Sequence, residues 1–203
     1  MNQMNDNKGF ARWFHSCKAE TLAEVLIALT VLAVGAGGAS TLVVTAIRAN
    51  VQGEERIVAY NFAREGVEAI RNVRDTNWLR FPGNRSECWD TLNAVNSTDC
   101  ATSTKLGQNT YLVFLETDPT TDALFKWQVI QEDPASADEL LYENTIGSGM
   151  LYTHDPVGTV TPYHRTVTIT QKTTTSMVVE SKVWWDSRGR TLSVTFMDEL
   201  SNY

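Results

Sequence analysis

The sequence predicts an α+β protein: a long N-terminal helix, membrane-spanning in its first half and amphipathic in its second, packed on a small C-terminal antiparallel β-sheet. Two observations carry this expectation. Residues Val25 to Ile47 are 23 consecutive uncharged residues, and no proline interrupts the chain before Pro82. After residue 109 the pattern changes to short runs rich in β-branched and aromatic residues, which end in a hairpin signal.

The chain has 203 residues, room for one ordinary domain and an appended element. Its formal net charge is −7, and because Lys8, Arg12 and Lys18 outweigh Asp6 in the first 19 residues, the remainder carries −9. Binding nucleic acid through phosphate contacts needs clustered Lys and Arg, so no nucleic-acid partner is expected. The cations flanking the apolar run lie on its N-terminal side. The positive-inside rule therefore puts residues 1–19 in the cytoplasm and everything after about residue 48 outside. A cleaved secretory signal is the competing reading, with Gly35 to Ser40 imitating its small-residue cleavage site. Apolar sequence resumes at Leu42, Val43, Val44, Ala46 and Ile47, which favours an uncleaved span there.

Glu24 stands at the threshold of this span. A charge at mid-bilayer costs about 2.5–3.5 kcal/mol on insertion scales and less near the interface, and an ionisable residue there is by default functional. Ala19-Glu20-Thr21-Leu22-Ala23-Glu24-Val25-Leu26-Ile27-Ala28-Leu29 resembles the class III signal of type IV pilins and pseudopilins. Thr21, Leu22 and Glu24 match that pattern, while Ala19 stands where Gly is usual and Glu20 where Phe is commonest. The resemblance implies cleavage between Ala19 and Glu20 by prepilin peptidase on the cytoplasmic side and N-methylation of Glu20. It also implies assembly through Glu24, which would meet the new α-amino group at Glu20 of a neighbouring subunit. A buried ion pair only roughly offsets its desolvation, so such a pair would favour axial register over raw stability. The alternative is a glutamate that snorkels to the headgroups.

From Leu22 to about Asp75 the pattern allows one helix of roughly 80 Å at 1.5 Å per residue. Residues 20–48 form the hydrophobic transmembrane and assembly segment, and 49–78 the amphipathic continuation, with Val51, Val58, Phe62, Ala69, Ile70 and Val73 near helical spacing. Gly35, Gly37 and Gly38 each cost about 1 kcal/mol relative to Ala in a helix. Softening is expected at residues 34–41, as in filaments of the family, with a small-residue packing face as the other reading. Gly35 to Gly38 also imitates a nucleotide loop, but no strand precedes it and Ser40 replaces the third glycine. Ala63 to Trp78 resembles the helix end and exit of pilins with variable heads, including minor pilins. Its charges, such as Glu68 with Asn72 and Arg71 with Asp75, read as a solvated face. Pro82-Gly83 ends any helix.

Residues 79–108 read as a polar connecting loop. Cys88 and Cys100 lie close together within it and suit a disulfide in an oxidising compartment, the alternative being two free thiols, while Cys17 would lie on the other side of the membrane. A loop so short would gain about 3 kcal/mol in the chain-entropy model. In the head, residues 109–203, strands are expected at 111–115, 124–130, 164–170, 177–185 and 191–196. Gly189 suits a hairpin turn between the last two. Val183 and Trp185 alternate with Trp184, giving one covered and one exposed face. Val183 to Arg190 also looks like the C-terminal hairpin of prepilin-like proteins.

No catalytic residue, cofactor or metal is expected. His15, His154 and His164 lack a nucleophile in a recognisable motif. Glu116, Asp118 and Asp122 lack the spacing of a calcium loop. Trp78, Trp127, Trp184 and Trp185 read as core aromatics rather than a ligand platform. Three functions stay open: a structural subunit of a type IV pilus-like filament, a type II secretion-type pseudopilin, or a plain signal-anchored surface binding protein. The first two share their partners, which are prepilin peptidase, other copies or related pilin subunits, and the cytoplasmic membrane. Before assembly the chain would be a single-pass protein of that membrane with its N-terminus inside; afterwards it would lie in an extracellular pilus or pseudopilus.

Overall fold

The computed structural model describes residues 17–92, 100–116, 126–132, 139–146, 149–154 and 156–202. The chain separates into two compact units, 1–51 and 52–203. Helix α1 is assigned from Cys17 to Arg80. Every residue from Thr21 to Val51 is exposed, and the helix is long and apolar enough by length and composition to cross a membrane.

The hydroxyls in this apolar stretch find partners in their own helix. Thr30 donates to the Ile27 carbonyl at 2.8 Å, Ser40 to Ala36 at 2.9 Å, Thr41 to Gly38 at 2.8 Å and Thr45 to Thr41 at 2.8 Å. Polar side chains are thereby tolerated where no water is at hand. The expected softening at 34–41 is not found, because α1 runs through these residues unbroken. A Cβ on Gly35, Gly37 or Gly38 would meet nothing within 4 Å.

In the second unit the helical residues from 52 to 80 pack on a seven-stranded sheet whose pairings are all antiparallel. The strands are β1 (Thr110–Glu116), β2 (Lys126–Gln131), β3 (Leu140–Ile146), β4 (Gly149–Thr153), β5 (Thr159–Lys172), β6 (Ser176–Ser187) and β7 (Arg190–Ser201). Five match the expected runs, with β5, β6 and β7 longer than expected. Strands β3 and β4 were not expected. Leu140-Leu141-Tyr142-Glu143-Asn144 lacks period-two alternation and contains residues depleted in strands, and the short β4 begins with a glycine.

Strand β5 organises the sheet. Along one edge β6 pairs with it from Tyr163↔Trp185 to Lys172↔Met177, and β7 pairs with β6. Along the other edge it takes two partners in turn. Its first part pairs with β3, from Thr159↔Glu143 to His164↔Leu140, and its last part with β1, at Val167↔Tyr111 and Thr168↔Thr110. The β3 register shifts between Leu140 and Tyr142, opposite the part of β5 that holds Pro162. Proline cannot donate to a ladder and is tolerated at such irregularities. The β6–β7 hairpin closes Ser187↔Arg190 with Arg188 at φ 54° and Gly189 at φ 76°. Positive φ at both central residues gives the turn twist that hairpins require, as Gly189 led one to expect.

The covered sheet face alternates as expected: Val183 and Trp185 are buried, while Trp184 on the other face stacks on His164 with ring centroids 5.4 Å apart. The buried helix stripe is Ala59, Phe62, Ala63, Val67, Ala69 and Ile70. Val58 and Val73 are only partly buried, and Val51 is exposed. The expected solvated face needs correcting at Arg71, which bonds both Glu68 on the helix and Asp198 on β7. The helix outlasts its expected end by two residues, because Phe81 is buried and its N–H still bonds the Asn77 carbonyl at 2.9 Å. The connecting segment also contains a short helix, α2 (Arg85–Cys88), and a bridge from Thr91 to Lys105.

Gly66 sets how closely helix and sheet approach. A Cβ there would lie 2.4 Å from Ser181 Oγ and 2.9 Å from Val167 Cγ2. Ala is favoured over Gly in a helix by about 1 kcal/mol, yet overpacking costs about 1–3 kcal/mol. Gly66→Ala is therefore expected to lower stability in urea unfolding. Ser181→Ala in the same chain should recover part of the loss, since the Ser181 hydroxyl is buried without a hydrogen-bond partner. A more stable Gly66→Ala variant would contradict the close approach.

Candidate functional site

The first candidate is the start of α1. Ala19 and Glu20 lie within the helix, with side chains outside the described residues, so the peptide between them is helical backbone. Glu24 lies one helical turn after Glu20 and on the same face, because residues four apart overlie each other. It is exposed, as are Leu22, Val25, Leu26 and Ile27 around it. The helix therefore offers a carboxylate at the edge of a surface that is uncharged from Val25 to Ile47. Water does not favour such a surface, and its burial needs a membrane or other helices.

The second candidate is the loop beyond the helix, which is held by three devices. Cys88 and Cys100 form a disulfide with Cα atoms 5.6 Å apart, buried against Phe81. Asn77, buried at the helix end, donates from Nδ2 to the carbonyls of Thr91 at 2.7 Å and Trp89 at 3.2 Å. Backbone bonds from Leu92 N–H to Thr104 O at 2.7 Å and from Leu106 N–H to Asp90 O at 2.8 Å align the two sides of the loop. Asp90 is buried against Lys172, whose ammonium lies 2.5 Å from Oδ2.

The third is the interior of the sheet. Arg165 is fully buried; its backbone N–H donates to the Glu139 carbonyl at 2.8 Å. Its guanidinium donates to Val113 O at 2.5 Å, Phe62 O at 3.3 Å and Glu65 Oε1 at 3.2 Å. Nearby, Glu55 accepts at its carboxylate from the Trp185 indole at 3.1 Å and at its carbonyl from the Tyr163 hydroxyl at 3.4 Å. Burial, and then the charges of Glu55 and Glu54, push the Tyr163 phenol above its ordinary range. At the β2 end Glu132 titrates higher than an ordinary carboxyl, through burial first and then the hydrogen bond and charge of Glu139. These groups tie elements together.

Sequence reasoning missed Asn77, Asp90 and Arg165. Two of them had a signal: Asn77 continues the helical stripe of Ile70, and Arg165 falls between Tyr163 and Val167 on the inward period-two positions. A polar residue in a covered position marks a buried hydrogen-bonding centre. Asp90 follows buried Trp89 in a segment without periodicity and gave no such signal.

The remaining candidates separate. His154 is buried with Nδ1 3.1 Å from the Leu140 carbonyl, and His164 stacks on Trp184. Trp185 is buried, and Trp78 and Trp127 are partly buried against the core. His15, Asp118, Asp122 and the side chains of Cys17 and Glu116 lie outside the described residues. Among the described residues no group of three or more His, Cys, Asp or Glu is arranged to hold a metal ion. Compared with known proteins, the chain matches no family model, no curated protein and no solved structure.

The disulfide closes a separation of 12 residues. Cys88→Ser is expected to cost about 3 kcal/mol of stability on the chain-entropy account. Denaturation with and without reductant checks this: reduction should lower the wild-type midpoint to that of Cys88→Ser and leave the variant unmoved. A wild-type midpoint insensitive to reductant would contradict it.

Proposed function

We propose that the chain is a structural subunit of a type IV pilus-like filament. Prepilin peptidase cuts it between Ala19 and Glu20, and it assembles through its N-terminal hydrophobic helix. One observation carries the reading: Glu24 opens a helix whose side chains are exposed from Thr21 to Val51, in a chain whose remaining helix is covered by a sheet. Such a helix suits two successive surroundings, lipid before assembly and the helices of other subunits afterwards. In lipid Glu24 lies near the interface, where the cost of a charge is lowest. Among packed helices it needs a cation, and cleavage creates one, the α-amino group of Glu20 on a neighbouring subunit.

Residues 1–19 then stay on the cytoplasmic side and leave with processing. The methyl group expected on the Glu20 amine keeps its positive charge and so preserves the pairing. The head, with its disulfide, works outside. Buried ion pairs discriminate register more than they stabilise, so Glu24 sets which subunits align and at what axial offset.

Glu24→Gln removes the charge and keeps the shape, while replacing one acceptor oxygen by an amide donor, so the amine loses its counter-charge. This variant is expected to be inserted and cleaved before Glu20 as in the wild type, while recoverable filament falls by at least about tenfold, the effect of leaving one buried amine unpaired. Filament yield by shearing and immunoblot, with the N-terminus of the membrane pool read in parallel, makes the measurement. Normal filament yield from Glu24→Gln would overturn the pairing, and normal yield from a chain that keeps residues 1–19 would overturn the processing step.

A further inference from the structure

Strand β7 ends the sheet, and among the described residues it pairs only with β6. Its hairpin closes on Ser187↔Arg190 across a two-residue turn, so Arg190, Leu192, Val194, Phe196 and Asp198 direct their backbone groups toward β6. Thr191, Ser193, Thr195 and Met197 direct theirs outward. The chain closes the last part of this edge itself: the Glu199 N–H donates to Asp198 Oδ1 at 2.9 Å, and the Ser201 carbonyl accepts from Arg74 at 3.2 Å. Among the described residues no side chain closes the edge from Thr191 to Met197. That stretch also lacks charge and proline, the devices by which natural edges refuse a further strand.

The side chains of the stretch are also incompletely covered. Leu192, Val194 and Phe196 lie on the helix side of the sheet and are only partly buried, while Thr191, Ser193, Thr195 and Met197 are exposed on the other side. Exposed charges of opposite sign flank it, with Arg188 and Arg190 before it and Glu199 after it.

We propose that the open edge of β7 binds the same edge of a second copy, antiparallel, about a two-fold axis at Val194. In this register Thr191 pairs with Met197 of the second copy and Ser193 with Thr195, so the outward backbone groups of one stretch meet those of the other. On the helix side Leu192 falls beside Phe196 of the second copy and Val194 beside Val194, apolar pairs that extend each other's burial. Arg190 falls beside Asp198 and Glu199 of the second copy. Asp198 already holds Arg71, and exposed Glu199 is the acid that answers the arginines of the turn. The symmetry repeats this contact at both ends, as a self-complementary patch requires. An in-register parallel partner would set like charges side by side, and a shift toward the end of the strand would meet the Glu199 N–H that Asp198 occupies. The pairing is independent of the proposed filament assembly, since every residue in it belongs to the second unit.

The test is oxidative cross-linking of the full chain in detergent, with Cys17→Ser removing the thiol outside the disulfide. Val194→Cys should form a linked dimer at least about tenfold faster than Thr191→Cys, although residue 191 is the more exposed. Two copies of residue 194 face each other on the axis, whereas two copies of residue 191 lie roughly 20 Å apart along the paired strands, beyond the reach of a disulfide. Association through the apolar helix would not favour residue 194, so the comparison isolates this contact. Thr195→Pro removes an outward N–H, a change that an edge strand tolerates, and Arg190→Glu reverses an exposed charge. Each should slow the Val194→Cys reaction by about tenfold, and melting curves establish that the variants fold. Equal rates at 194 and 191, faster linkage at 191, or a Val194→Cys rate unchanged in a folded Thr195→Pro or Arg190→Glu chain would each overturn the proposal.

Discussion

One fully buried cation, Arg165, sets the architecture of the head. Strand β5 has two partners on a single edge, β3 along its first part and β1 along its last. Where two ladders diverge, backbone groups lose their neighbours, and buried groups without partners are costly. Arg165 sits at that divergence. Its N–H satisfies the Glu139 carbonyl beside β3, and its guanidinium satisfies Val113 on β1. The same guanidinium reaches Phe62 and Glu65 on the helix, so one side chain joins both branches of the sheet to the helix. Arginine suits this place because its planar fork presents five donors and stays charged when buried. Removing such a charge from water is expensive, and only several acceptors at once make its burial tolerable.

Once Arg165 fixes the helix over β5, the other contacts follow from distance. Gly66 lies where the helix crosses Ser181 and Val167, and there the backbone must come close. Toward residue 52 Glu55 receives Trp185 and Tyr163, and toward residue 80 Arg71 and Arg74 reach Asp198 and the Ser201 carbonyl. Polar side chains thus mark both ends of a hydrophobic seam made of Phe62, Val67, Ile70, Val183 and Trp185. The helix before residue 52 has no such seam. There the sequence from Val25 to Ile47 is uncharged, and every residue from Thr21 to Val51 is exposed. On the proposed function this contrast divides the labour: the second unit is complete by itself, and the first awaits a membrane or a filament.

The fold was legible wherever one physical rule dominated. Continuous apolarity without proline gave the helix, Pro82-Gly83 its end, and Gly189 the last hairpin. Val183, Trp184 and Trp185 gave the covered face by alternation alone. Legibility failed where rules competed. In β3 the adjacent Leu140 and Leu141 obscure the alternation, and Asn144 argues against a strand, so only pairing with β5 reveals it. Arg71 followed helical charge spacing yet also answers to Asp198, 127 residues away, which no local pattern reports. The loop candidates were half legible: Cys88 and Cys100 announced a bridge, whereas Asp90 and Lys105 meet only after backbone bonds align the two sides. Glu24 stood out at once, because a charge at the mouth of an apolar helix is conspicuous in any surroundings. Its partner is not legible in one copy of the chain, since the amine proposed for it belongs to another copy after cleavage.

On the proposed function, assembly through Glu24 depends on a cation that the uncut chain does not have. The most direct measurement is the N-terminal mass of the protein isolated from its own cells, read on the intact chain and on its first proteolytic peptide. Processing as proposed predicts a chain that begins at Glu20 with a methylated α-amino group. A chain that still carries residues 1–19 contradicts it, because Glu24 then has no amine to meet.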